Sequence, residues 1–320
     1  MCPVGGAAPA AFRGSGHFVV AGHCSAVGQL GCWICCRRSR RAGDSALTQS
    51  RRKPAVGVVI VHYGAPDLTV RAVDSLEEAA GGAVDYECVV IDNASPRPMQ
   101  PVAGPRVLIV RNRANMGFAA AANQGARLTA AELLLFLNND ARLKPAAMAE
   151  MVRALREEPG LAAVAARVTG SGEDYRPMRF LGPFNHALGL LGWRTLRYHT
   201  GCGRPADWVP AVALLIRRSA FSAVGGFDEG YFFFEEDEDL CWRLARRGQR
   251  VGVAEKAVVE HAGGAALAGP VRIDLLEHAQ QRFLERRLGP IAVSGYRAAV
   301  GGARLLKAAA RRSPILGRGR

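Results

Sequence analysis

The 320 residues are 49% hydrophobic and 22% charged, ordinary values for a globular chain with room for one large domain or two smaller ones. The formal net charge is +14, but residues 1–53 carry +7 and residues 271–320 carry +8, which leaves the middle at −1. A nucleic-acid-binding core would carry the charge itself, so this balance argues against that class. It fits a near-neutral enzyme core with basic flanks able to touch an anionic surface.

Along the chain, residues 1–53 read as a leader. His17 to Cys36 is mildly apolar and free of formal charge, and Arg37-Arg38-Ser39-Arg40-Arg41 follows. A membrane span needs about 20 strongly apolar residues. The His, Gln, Ser and Gly in this stretch favour a disordered leader over a weak membrane anchor, and no signal-peptide pattern is present. Five of the eight cysteines fall here, including Cys32-Trp33-Ile34-Cys35, which lacks the second pair that a zinc site needs. Cys88, Cys202 and Cys241 are scattered through the body, as expected of a reduced, cytoplasmic protein.

From Pro54 onward strands and helices alternate. Val56 to Val61 is a continuous apolar run, as in a buried parallel strand, and ends at His62-Tyr63-Gly64-Ala65-Pro66-Asp67. Helical spacing covers Leu68 to Glu78. A second strand, Tyr86 to Ile91, runs into Asp92-Asn93-Ala94-Ser95-Pro96, and a third, Val107 to Val110, into Arg111-Asn112. Ala119 to Thr129 is a predicted helix. Leu133 to Leu137 is a fourth strand, ending at Asn138-Asn139-Asp140, with a helix from Pro145 to Glu157 after it.

Residues 170–207 read as a long irregular insert. Structure resumes at Val212 to Ile216, a short helix from Ser219 to Val224, and a helix from Glu238 to Arg247 capped by Gly248. Short strands at Val251–Val253 and Val258–Val259 lead into Glu260-His261. The alternation predicts an α/β domain with a mostly parallel sheet over 54–270, followed by a basic helical extension over 271–320. Tyr63, Asp92, Asn112 and Asp140 all fall just after strands, where open α/β sheets bind ligands.

Several clusters could carry chemistry. Asn138-Asn139-Asp140 offers hard oxygen ligands at a strand end, suited to Mg²⁺ or Mn²⁺, though the same residues would also cap a plain turn. Residues 228–239 hold seven acids next to the aromatic run Tyr231 to Phe234. Buried aromatics draw such acids into a drier setting, where a carboxylate can act as general base. His261 follows a strand and precedes Gly263-Gly264, whose backbone could approach a phosphate. Asn115-Met116-Gly117-Phe118 with Asn123 joins a strand to a helix and suits either a ribose or phosphate contact or an ordinary capped loop.

In combination these motifs resemble glycosyltransferase family 2, the inverting enzymes of GT-A fold, over about residues 55–265. The resemblance rests on His62-Tyr63; Val90 to Ser95; Asn115 to Asn123; Leu137 to Asp140; and Gly226-Phe227-Asp228-Glu229 through Glu236-Asp237-Glu238-Asp239-Leu240, in that order. It is most similar to the rhamnosyltransferase-like branch, with Asn-Asn-Asp in place of Asp-x-Asp and a His-x-Gly-Gly after the last strand. The resemblance implies a GT-A sheet flanked by helices and a nucleotide-sugar donor. Asp92 would meet the nucleobase, the backbone near Tyr63 would line its pocket, and Asn115, Gly117, Asn123, Asn138 and Asn139 would contact the donor. It implies a divalent metal, Mg²⁺ or Mn²⁺, at Asp140 with His261 approaching the metal or diphosphate. Asp237 would be the catalytic base, with Glu236 and Asp239 in support. The sequence departs from the family at Gly64, at Ala119 to Ala122, and at Pro210-Ala211, where a Ser-Gly pair is common close to the expected sugar.

The implied acceptor is a hydroxyl of a glycan or polyprenyl-linked glycan. Residues 290–312 space Ile291, Val293, Val300, Leu305 and Leu306 among Arg and Lys, the pattern either of a basic helix lying on an anionic membrane or of a solvated terminal helix. Two enzyme rivals, a sugar-1-phosphate nucleotidyltransferase and a dinucleotide-dependent oxidoreductase, each need a Gly-rich phosphate loop after the first strand. His62 to Asp67 does not supply one. A non-catalytic carbohydrate- or nucleic-acid-binding protein is the alternative from another class.

Overall fold

The computed structural model describes residues 54–102, 106–170, 177–191, 206–263 and 270–312. The leader, its C-x-x-C and Cys202 lie outside the described residues. Arg51–Arg320 forms one compact unit.

Strand β1 (Val56–His62) is an interior strand of the sheet, and nearly every side chain on it is buried, on both faces. It pairs in parallel with β2 (Tyr86–Asp92) on one side and β4 (Leu133–Asn138) on the other, and β3 (Val107–Arg111) adds in parallel to β2. Helix α1 (Pro66–Ala80) covers one face through Ala72, Val73, Leu76 and Ala79. Helix α2 (Phe118–Arg127) covers the other with Ala119, Ala122 and Ala126. Small side chains let α2 lie close to the sheet: a Cβ on Gly125 would stand 2.4 Å from Val59 Cγ1. The alanines that depart from the family pattern therefore serve as the helix–sheet contact.

Beyond β4 the sheet changes sense. Its order is β3-β2-β1-β4-β7-β6-β8-β5. Strand β7 (Ala213–Arg217) runs antiparallel to β4 and to β6 (Leu161–Thr169), while β6 and β8 (Arg250–His261) are parallel and β5 (Ala141–Leu143) is antiparallel to β8. The sheet is thus mixed, parallel around β1 and reversed at β7. Strand β8 is continuous where the sequence suggests two short runs. The exposed Glu255-Lys256 interrupts its apolar pattern, and the β6–β8 register shifts between Ala166 and Arg167. Helix α3 (Ala147–Glu157) packs beside α1 and β8, and the short helices α4 (Asn185–Leu190) and α5 (Arg218–Ala223) precede α6 (Glu236–Ala245). Among the described residues, Cys88 and Cys241 are buried free thiols, and no helix is long and apolar enough to cross a membrane.

The C-terminal helices α7 (Pro270–Leu288) and α8 (Pro290–Arg312) share a core with the sheet domain rather than trailing from it. Phe283, Leu284, Tyr296 and Val300 pack with Leu181 and Tyr231. Ion pairs clamp α7 to the acidic segment. Arg286 bridges Asp228 and lies 3.2 Å from Asp239, and Arg282 lies 3.1 Å from Asp228. Asp239 also accepts from Arg243 Nε at 2.6 Å and is fully buried. Removing one member of a buried ion pair leaves an uncompensated charge. Asp239→Ala should therefore lower unfolding stability by about 3 kcal/mol, seen as a reduced urea midpoint.

Candidate active site

Parallel pairing brings the carboxyl ends of β1, β2 and β4 to one edge of the sheet, with Val61 opposite Asn138 and His62 opposite Asp92. His62 itself is buried and structural. Its Nε2 donates to the Arg97 carbonyl at 2.9 Å, and its Nδ1 shares a hydrogen bond of 2.8 Å with the Thr69 hydroxyl. Tyr63, Asn138, Asn139 and Asp140 line a cavity of about 570 Å³ at this edge. Asn139 reaches the Tyr63 carbonyl and the Thr69 hydroxyl, each at 3.4 Å. Asp140 is placed by the short β5: pairing of Ala141 with His261 sets the Asp140 carboxylate 3.0 Å from His261 Nε2.

Another part of the lining comes from the segment before α6. Asn123 holds its start, accepting the Phe227 N–H at 3.0 Å and donating to the Phe227 carbonyl at 2.9 Å. Further along, the Phe118 N–H donates to the Phe232 carbonyl at 2.8 Å. Gly117, at φ +81°, makes room: a Cβ there would meet Phe232 O at 2.5 Å. Phe234 and Glu235 then take left-handed backbone, at φ +73° and +63°. Such a conformation is costly for residues with a side chain and persists only where the surroundings enforce it, often at functional sites. It turns Glu236 and Asp237 into the cavity at the start of α6.

These two acids have different electrostatics. Asp237 accepts the N–H groups of Ala211 at 3.0 Å and Glu238 at 2.8 Å. Burial nevertheless pushes its carboxyl up to about 6, against the pull of those hydrogen bonds. Glu236 is pushed well above the usual carboxylate range, first by burial and then by the neighbouring Asp237 charge. With its carboxyl near 6, Asp237 is largely ionised at neutral pH, while burial and the adjacent Asp237 charge oppose ionisation of Glu236. Among the described residues, one carboxylate oxygen on each of Glu235 and Glu236 is buried with no hydrogen-bond partner.

The profile of Glycosyl transferase family 2 matches residues 57–223, just over half of the chain. The chain belongs to glycosyl transferase family 2. It is 26% identical over 224 residues to the O-antigen biosynthesis protein RfbC of Myxococcus xanthus, which covers 66% of this chain and 18% of that protein. It is 56% identical over 45 residues to an N-acetylglucosaminyl-diphospho-decaprenol L-rhamnosyltransferase of Mycobacterium tuberculosis, covering 14% and 15%. It is 29% identical over 180 residues to a pre-mycofactocin glycosyltransferase of the same species, covering 54% and 37%. The chain thus spans well under two thirds of each of these relatives. Two solved structures share the fold at 16% identity. GalNAc-T7 with UDP, GalNAc and Mn²⁺ has a TM-score of 0.53 over 73% of this chain and 48% of that one. The mannosyltransferase PcManGT from Pyrobaculum calidifontis with GDP-Man and Mn²⁺ has a TM-score of 0.50 over 82% and 80%.

For this family 2 domain, the cavity gathers most of the residues that the sequence singles out: Tyr63, Asn115, Gly117, Asn138, Asn139, Asp140, Glu236, Asp237 and His261. Three do not line it. The Asp92 carboxylate turns inward to the N–H groups of Ser95 and Met99 and to Arg111, 2.5 Å away. Asn93 stands at the wall instead. Asn123 clamps the loop, and Asp239 anchors α7. Pro210 and Ala211, where the sequence departs from the family, lie on the cavity, and the Ala211 N–H holds Asp237. Sequence reasoning missed Val271, Arg272, Leu275 and Leu276 of α7, which also line the cavity. They belong to no motif, and only the fold brings them there.

As for a metal, among the described residues no group of three or more His, Cys, Asp or Glu is placed to hold one. Asp140 and His261 offer one carboxylate and one imidazole. That set fits an ion such as Mg²⁺ or Mn²⁺, which keeps several positions for water and phosphate oxygens. Gly117→Ala adds a methyl against the Phe232 carbonyl and strains the backbone. A loss on the order of 2 kcal/mol is expected, read as a lowered thermal midpoint.

Proposed function

We propose that the protein is an inverting glycosyltransferase that moves a sugar from a nucleoside-diphosphate donor to an acceptor hydroxyl, with Asp237 as the base. The observation that carries this reading is one cavity lined both by Asp140 and His261 and by Glu236 and Asp237. Tyr63 and Asn93 at the strand edge would take the nucleoside, and Asn138 and Asn139 the ribose and phosphates. Asp140 and His261 would hold a divalent cation, which supplies countercharge to the diphosphate. Asp237 takes the proton from the acceptor oxygen as that oxygen bonds to the anomeric carbon and the nucleoside diphosphate leaves from the opposite side. Glu236, whose ionisation is opposed by burial, stands beside it in the cavity wall. Rhamnose is the first donor sugar to assay, because relatives are named rhamnosyltransferases.

Asp237→Asn should reduce transfer by about 100- to 10,000-fold, the range of a lost general base, while the donor nucleotide still binds. Turnover near the wild-type rate would reject the assignment. Transfer by the wild type should rise with pH through about 6 and level off above, since the base works ionised. The sign for stability is the reverse. A carboxyl raised above its unfolded value, near 4, stabilises the fold at low pH and loses that contribution as pH rises through about 6. The neutral Asn variant should therefore keep its fold at pH 8.

The acceptor in this reading is a lipid-linked glycan at the cytoplasmic face of a membrane, touched peripherally by α8. Helix α8 carries five Arg and Lys and no acid, and exposes Ile291, Leu305 and Leu306. Tyr296 bonds Gln280 and Arg304 bridges Glu277, so α8 runs back along α7. Leu305 and Leu306 thereby return toward the end where Val271 and Ile273 are exposed and Val271 lines the cavity. An apolar stripe with basic neighbours suits an anionic bilayer. Flotation with phosphatidylglycerol vesicles should recover the wild type but not Leu305→Glu/Leu306→Glu, which leaves the buried Tyr296 and Val300 in place. Equal flotation would reject the contact.

A further inference from the structure

We infer that Glu238 is a positioning residue for Asp237: its carboxylate holds a two-stranded ribbon, residues 178–181 against 206–211, that carries the Ala211 N–H to the Asp237 carboxylate. This rests on the reading of Asp237 as the base. The sequence suggests an irregular insert over 170–207, yet its described ends are tightly bonded. Met178 and Trp208 exchange both backbone hydrogen bonds, at 3.0 and 3.2 Å. The Phe180 N–H donates to the Asp207 carboxylate at 3.2 Å, and Trp208 Nε1 donates to the Arg179 carbonyl at 3.2 Å. Met178, Trp208 and Ala211 also line the cavity.

The ribbon closes a circuit with α6. At one end, Ala211 donates to Asp237 Oδ2 at 3.0 Å, and only Val209 and Pro210 separate Ala211 from the Trp208 pairing. The fixed φ of proline stiffens that link. At the other end, Leu181 donates its N–H to Glu238 Oε1, and its carbonyl accepts from Arg287 Nη1 at 2.7 Å. Leu181 and Glu238 are both fully buried. A buried N–H without its acceptor is costly, so the ribbon would shift to find another, and the Ala211 N–H would shift with it. The Glu238 N–H also donates to Asp237 Oδ1, at 2.8 Å. Residue 238 thus serves the base directly through its backbone and, through its side chain, by way of the ribbon.

The test is the titration of Asp237 itself, followed by carbon-13 NMR of protein labelled at the aspartate Cγ, with the signal assigned by its loss in Asp237→Asn. It needs no substrate, so the inference can fail while the transfer reading stands, and the reverse. Wild type, Glu238→Gln and Glu238→Leu are compared. Both variants remove the Glu238 charge, and only glutamine keeps an oxygen for the Leu181 N–H. Both leave in place Glu235, Glu236 and Cys241 near Asp237. They also leave Tyr63, Asp140, His261 and Arg272 around the cavity. Losing the Ala211 N–H favours the protonated carboxyl. Asp237 should therefore titrate about one pH unit higher in Glu238→Leu than in Glu238→Gln, the size of one hydrogen bond to a charged group. Superposed titrations of the two folded variants overturn the inference, because Ala211 would then be held without the Glu238 anchor. If Glu238→Leu is not recovered folded, Trp208→Phe decides, since it removes the bond to the Arg179 carbonyl and no charge. A midpoint raised above wild type supports the circuit, and an unchanged one overturns it.

Discussion

The hydrogen bond from the Phe118 N–H to the Phe232 carbonyl, at 2.8 Å, ties the start of α2 to the segment that leads into α6. It forms only because residue 117 is glycine, free to adopt φ +81° and without a Cβ to strike Phe232. The acids of α6 lie about a hundred residues of chain from Asp140, and this contact, with Asn123 on Phe227, carries them to the edge where β1, β2 and β4 end. The Glu236 and Asp237 side of the cavity depends on it. The cost of such delivery shows in the backbone, where Phe234 and Glu235 sit consecutively in the left-handed region.

Glycine and asparagine therefore work here through the protein's own architecture. Gly117 makes room for the Phe232 backbone. Asn123 acts as a double clamp, and Asn93 accepts from Met116 N–H and the Asn112 amide while donating to Asn115 and the Gly117 carbonyl. Asp92, carrying the carboxylate of the same motif, is turned into its own loop and toward Arg111. The polar motifs of this family 2 chain thus divide into residues that face the cavity and residues that build the loops around it.

The parallel half of the sheet was legible in the sequence because Val56 to Val61, Tyr86 to Ile91 and Leu133 to Leu137 are apolar runs bounded by turn residues. Strand β5 was not legible, since three residues carry no period, yet it sets Asp140 against His261. Strand β6 was missed because its buried positions are largely alanine, and β8 was split by Glu255-Lys256. Helix α6 begins at Glu236, two residues earlier than its apolar spacing suggests, because charged residues fill its first turn. Motif residues named most of the cavity. They put Asp239 in support of Asp237, whereas its carboxylate serves Arg243 and Arg286. Only packing could reveal that α7, a helix without a motif, contributes to the cavity lining.

The central claim is that this cavity binds the donor among its acidic residues. A crystal structure with an intact nucleotide-sugar and Mn²⁺ tests it most directly. The diphosphate is expected beside Asp140 and His261, with the Asp237 carboxylate facing the anomeric carbon on the side opposite the leaving phosphate. A nucleotide-sugar bound elsewhere, or seated with Asp237 on the phosphate side, would contradict it.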